Sequence, residues 1–228
     1  MTDIAQHLAE VHAKIAAACQ RAGRSPKDVT LLAVSKLQPS TLIRAAYAAG
    51  QRDFGENYAQ ELRDKASELA DLPTLRWHAI GTLQRNKVKY VAKSASVFHA
   101  LCSLAIAEEL SCRRQGPPID VLIEVNVAGE DSKSGIAQSA LSPFCEKIRK
   151  LPGLRLTGLM TMPPQPEPPL PWTPEDNRPY FAKLRTLAES LGLSELSMGT
   201  TADYEVAIEE GATIVRVGRS IFGSRPSP

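Results

Sequence analysis

Short apolar runs alternate with amphipathic stretches along the whole chain. Ile4, Leu8, Val11 and Ile15 recur at helical spacing behind Thr2-Asp3, a pair suited to capping, so the chain opens on a helix. Eight short, largely apolar runs then predict buried strands at Thr30–Ser35, Arg52–Gly55, Arg76–Ile80, Ser96–Ala100, Val121–Asn126, Arg155–Met160, Glu195–Met198 and Thr213–Val217. Helical periodicity fills most gaps, at Thr41–Ala49, Ala59–Leu69, Leu83–Val91, Leu104–Arg113, Ser142–Leu151, Asn177–Leu191 and Asp203–Glu210. Such alternation predicts a parallel sheet. Eight units within 228 residues favour a closed, single-domain (β/α)8 TIM-type barrel over an open doubly wound sheet. Gly218 to Pro228 are too few for a full last helix, so the extra N-terminal helix is expected to cover that side.

Pro163–Pro179 interrupts the pattern. Its prolines exclude a regular helix or a central strand, and its place after the sixth run predicts a long loop at the barrel mouth. It reads equally as a lid, a surface excursion or a docking segment in polyproline form.

Composition narrows the class. A net charge of +2 with 23% charged residues implies no nucleic-acid or membrane partner, and the most basic patch, Gln84–Lys89, reads as a solvated helix face. Cys19, Cys102, Cys112 and Cys145 form no C-x-x-C pair, which speaks against a metal site or a disulfide framework. The N-terminus lacks a signal-peptide pattern and no apolar run approaches about 20 residues, so a cytoplasmic location is expected.

The residues with chemistry collect at the predicted strand ends, where barrel active sites form. Lys36 ends the first strand, Asn57 follows the second and Gly81-Thr82 the third. Glu124 and Asn126 end the fifth, Met160 the sixth, Ser197, Gly199, Thr200 and Thr201 the seventh, and Arg216 and Gly218 the eighth. A lysine poorly solvated at a strand end is a nucleophilic amine that could hold an aldehyde; equally, its stem could pack while its head reaches water. Gly199 and Gly218 let backbone N–H groups approach a phosphate, with Thr200, Thr201 and Ser220 adding hydroxyls, or they serve plain turns. Arg216, alternating with Ile214 and Gly218, faces the barrel interior and needs an anion or acceptor there, or else a buried ion pair with Glu124. His78 and His99 read as satisfied strand residues and Lys133 as a solvated loop lysine. An amine that takes an aldehyde, beside an anion cradle, points to pyridoxal phosphate.

Whole segments carry a resemblance: Leu31-Leu-Ala-Val-Ser-Lys36, Asp53-Phe-Gly-Glu-Asn57 with Gln60-Glu61, Trp77-His-Ala-Ile-Gly81, Glu124-Val-Asn126, Gly158-Leu-Met-Thr161, Leu196-Ser-Met-Gly199 and Val215-Arg-Val-Gly218. In this order they resemble the pyridoxal phosphate homeostasis protein family, a relative of the barrel half of alanine racemases. The resemblance implies a fold-type III barrel without the C-terminal β-domain, an internal aldimine on Lys36, and Asn57 beside the cofactor. It also implies a phosphate held by Gly218 and the Thr200-Thr201 loop, and Arg216 at the ring nitrogen or the phosphate. Thr200-Thr201 departs from the usual Met-Ser, Arg219 replaces a small residue, and Cys102 stands where an aspartate is common.

Beside a regulatory barrel whose cofactor would set its affinity for a protein partner through the proline loop, two functions compete. One is a carrier or buffer that holds pyridoxal phosphate for recipient enzymes, most simply as a monomer, with a dimer left open. The other is a racemase or lyase using Lys36 as base on a small amino acid, completed by Glu124, His99 or Lys133. The second base of a racemase comes from a separate domain, so the resemblance favours the carrier.

Overall fold

In the computed structural model, which describes residues 3–129, 134–164 and 171–224, eight parallel strands close into a barrel in chain order. They are β1 (Thr30–Val34), β2 (Asp53–Glu56), β3 (Arg76–Ala79), β4 (Val97–Leu101), β5 (Ile119–Glu124), β6 (Leu154–Met160), β7 (Glu195–Thr200) and β8 (Ile214–Val217). The ring closes where β8 pairs with β1, from Thr30 opposite Ile214 to Ala33 opposite Val217. The expected (β/α)8 barrel is the observed one. Its strands are largely buried on both faces because one packs the interior and the other receives the helices.

The helices between and beyond the strands are α2 (Ser40–Ala48), α3 (Ala59–Glu68), α4 (Val88–Ser94), α5 (Leu104–Arg113), α6 (Gln138–Ile148), α7 (Arg178–Ser190), α8 (Tyr204–Glu209) and α9 (Arg219–Phe222). The opening helix, α1 (Ile4–Arg21), starts where Asp3 Oδ1 accepts the Gln6 N–H at 3.0 Å. It buries Ile4, Leu8, Val11 and Ile15 against α2, α8 and the short α9. Each such side chain contributes about 1.5–3 kcal/mol of burial free energy. The N-terminal helix thus covers the side that the four-residue α9 leaves thin, as its apolar stripe implied.

Several boundaries move from the sequence reading. Residues 85–87 form a 3-10 turn, so α4 begins at Val88 rather than Leu83. Helix α6 starts a turn before Pro143 and carries that proline inside it, although proline favours the first turn. Pro179 lies in the first turn of α7, behind a 3-10 turn at Pro174–Asn177, so the irregular stretch after β6 ends at Thr173. Residues 165–170 of the expected proline loop lie outside the described residues, as does Lys133. No described helix is long and apolar enough to cross a membrane.

Candidate functional site

The chain leaves β1 through a turn in which the Gln38 N–H donates to Ser35 O at 3.0 Å. Leu37, the third residue of that turn, has φ +61°, a left-handed backbone that a branched side chain rarely adopts. Helix α3 holds the strain. Glu61 Oε1 accepts the Leu37 N–H at 2.6 Å, and Lys65 Nζ donates to Ser35 O at 2.7 Å. The peptide groups on both sides of Lys36 are therefore gripped from behind. Lys65 also donates to Glu56 Oε1 at 2.8 Å and Glu61 Oε1 at 2.7 Å, while Ser35 Oγ donates to Glu56 Oε1 at 2.6 Å. Burial pushes the Glu56 carboxyl up to about 7, against the opposing pull of Lys65 and Ser35.

Lys36, partly buried, opens on a cavity of about 410 Å³ at the carboxyl ends of the strands. Asn57, Gly81, Thr82, Glu124, Met160, Thr200, Thr201, Arg216 and Gly218 line it with Lys36, so most of the sequence-chosen residues share one wall. Gly81 sets the approach of two loops: a Cβ there would lie 2.3 Å from Asn57 O. Any side chain would push Asn57 out of place.

Arg216 is the best-defined group in the cavity. Its Nη1 donates to Ser197 Oγ at 2.6 Å, and its Nη2 donates to Thr161 O at 2.9 Å and to Met162 Sδ at 2.8 Å. Burial pushes its pKa down to about 10, with Asp203 and Glu124 opposing, so it is a cation at neutral pH. Among the described residues no carboxylate lies within 4.0 Å of it. The alternative of a direct ion pair with Glu124 is not what forms, since Glu124 Oε1 accepts from Ser134 Oγ at 2.7 Å instead. A buried cation surrounded by neutral acceptors suits an anionic or lone-pair ligand.

The same cavity holds the candidate anion side. The Gly218 N–H donates to Thr201 Oγ1 at 3.3 Å, and α9 begins one residue later, presenting first-turn N–H groups that have no partner within the helix. Arg219 joins this wall. Thr200 differs from expectation: its N–H and its hydroxyl are both spent on Asp203 Oδ1, at 2.6 and 3.0 Å, so its hydroxyl proton is not offered to the cavity.

Of the expected residues, Asn126 and Ser220 do not line the cavity, and Ser197 and Gly199 lie off its wall. Ser197 is fully buried between Arg216 and His99, beneath the cavity. Gly199, with φ +86° at an irregularity in the β7–β8 register, turns onto α8, where a Cβ would meet Ala207 Cβ at 2.5 Å. Counting from a strand end cannot anticipate such a break in alternation. The sequence also missed Val34, Ile80, Ala100, Ser134, Met162 and Ala202, which line the cavity as small or apolar wall. Their only signal was a place at or just after a strand end, and Ser134, in the loop between β5 and α6, lacked even that.

A (β/α)8 barrel with a lysine leaving β1 and an interior arginine on β8 defines the alanine racemase class of barrel, and the alanine racemase N-terminal domain model matches residues 6–226. Within that class the chain belongs to the pyridoxal phosphate homeostasis protein family. It is 48% identical over 231 residues to the Pseudomonas aeruginosa member, covering 99% of this chain and 97% of that one. To the Escherichia coli K12 member it is 44% identical over 232 residues, covering 99% and 98%. PipY of Synechococcus elongatus superposes with a TM-score of 0.83 at 35% identity, covering 96% of this chain and all of PipY, and one of its structures has PLP bound.

Proposed function

We propose that this protein binds pyridoxal 5'-phosphate inside the cell and serves as its carrier or buffer, with the aldehyde held as a Schiff base on Lys36. The observation that carries the reading is the shared cavity: the Lys36 amine and the carboxylate-free Arg216 cation both line it. The residues fit the group's three demands. Lys36 would meet the aldehyde, Arg216 would offer N–H donors to the ring nitrogen, and Thr201, the start of α9 and Arg219 would hold the phosphate. When bound, the cofactor supplies an electron sink for bonds at an amino acid's α-carbon. An arginine at the ring nitrogen leaves that nitrogen unprotonated and the sink weak, which favours holding over turnover.

The α3 clamp holds the backbone on both sides of Lys36, and the packing of Gly81 against Asn57 holds the neighbouring loop. Titration with pyridoxal phosphate, followed by visible absorbance, tests the binding. Wild type is expected to develop a saturable band that Lys36→Ala lacks, and the loaded protein to restore activity to a cofactor-free aminotransferase. A Lys36→Ala variant with an unchanged band would refute the site.

A further inference from the structure

A line of hydrogen bonds leaves the cavity and crosses the barrel core to its amino-terminal end. Beneath Arg216, Ser197 Oγ lies 2.8 Å from His99 Nδ1. His99 Nε2 lies 2.9 Å from His78 Nδ1, and His78 Nε2 lies 2.9 Å from Asp53 Oδ1. Asp53 in turn pairs with Arg76 at 3.3 Å at that opposite end. The participants come from β8, β7, β4, β3 and β2, so the line spans the sheet interior rather than one edge.

The chemistry of the two ends gives the line one direction. A guanidinium only donates and a carboxylate only accepts. Both imidazoles are buried and held neutral: burial lowers His78 against the pull of Asp53, and lowers His99 well below its ordinary value, with His78 and Arg216 adding to the effect. A neutral imidazole has one donor and one acceptor. With Asp53 taking the His78 Nε2–H, His78 Nδ1 must accept from His99 Nε2–H. His99 Nδ1 must then accept the Ser197 hydroxyl, and a Ser197 lone pair accepts Arg216 Nη1–H. Every polar atom in the line is satisfied by this arrangement, and reversing it would need one more proton in the line, on Asp53 or as an imidazolium at His78.

We propose that Asp53, His78, His99 and Ser197 are positioning residues for the ring subsite, a one-way relay that fixes the orientation of Arg216 from beneath. Three of the five N–H donors of Arg216 are used on Ser197, Thr161 and Met162, so two remain for a ligand, and the relay decides which two. The role rests on the cofactor reading above, whereas the relay itself does not. The other charged groups acting on the line are Arg76 and Asp120 at the His78 end, and Glu124 and Asp203 at the Arg216 end.

Side-chain 15N NMR of the cofactor-free protein tests the relay first. Both histidines are expected as neutral Nε2–H tautomers from pH 7 to pH 8; an Nδ1–H tautomer or an imidazolium at either would overturn it. Titration of variants with pyridoxal phosphate then tests the role. Ser197→Ala and His99→Phe are each expected to bind about tenfold more weakly with a shifted visible band, His99→Gln to recover much of both, and the double variant to be no worse than the weaker single. Should His99→Phe not fold, Ser197→Ala carries the comparison, since it only removes one oxygen. Variants that lose thermal stability yet keep the wild-type affinity and band would overturn the positioning role. Wild type that takes up no pyridoxal phosphate would overturn the cofactor reading and this role with it, leaving the tautomers as found.

Discussion

At the scale of single residues, the site depends on a few positions where one atom decides the geometry. Gly81 is one, because a Cβ would press to 2.3 Å from the Asn57 carbonyl oxygen, which is backbone and cannot swing aside. Gly81→Ala is expected to cost about 1–3 kcal/mol in urea unfolding and to weaken cofactor uptake as Asn57 moves. Glu56 is another. Burial raises its folded-state value to about 7, above that of an exposed carboxyl, so the folded protein holds an extra proton between about pH 4.5 and 7. Its contribution is therefore present at low pH and lost as pH rises through about 7. Wild-type unfolding free energy is expected to fall between pH 5 and pH 8 by an amount that Glu56→Gln abolishes; equal pH slopes in both proteins would contradict this. Lys36 and Asn57 were legible as cavity residues because polar residues just after short apolar runs stand out, and Arg216 because it is a charge inside one. The neighbours of Glu56 were not, since Glu61 and Lys65 lie on α3 and look like an ordinary solvated helical pair until the helix docks.

At the scale of elements, α3 is the part that turns strand β1 into a site. Lys65 is the shared cation of Glu56 and Glu61 and also ties down Ser35 O. Lys65→Met would leave two carboxylates facing one another with no cation, and it is expected to cost about 3–5 kcal/mol in urea unfolding. The Lys36 turn should loosen with it, seen as faster amide exchange at Leu37, whose N–H Glu61 holds. Unchanged exchange there would show that the turn holds itself. Strands were the readable elements, because each is a short apolar run bounded by polar residues. Helix starts were less so: periodicity placed this helix from Ser142, yet α6 begins at Gln138 and carries Pro143 inside it. The β7 end misled in another way, since its register break sends Gly199 to the helix side and leaves Ser197 below the cavity floor.

At the scale of the whole molecule, closure by β1 and β8 makes the first and last segments of the chain one structural unit. Lys36 follows β1 and Gly218 follows β8, so the amine and the anion side exist together only when the barrel is shut. Unfolding is expected to be a single transition, with the signal of buried Trp77 and the far-ultraviolet signal coinciding. Bound cofactor at a hundred times its Kd should raise stability by about 2.7 kcal/mol in wild type and far less in Lys36→Ala. Separate transitions would mean that the two halves of the site can form independently. The most direct test of the account is to mix wild-type protein with pyridoxal phosphate, reduce with borohydride, digest, and locate the added mass. The account predicts one stable adduct on Lys36. Adducts spread over surface lysines with Lys36 unmodified would contradict it.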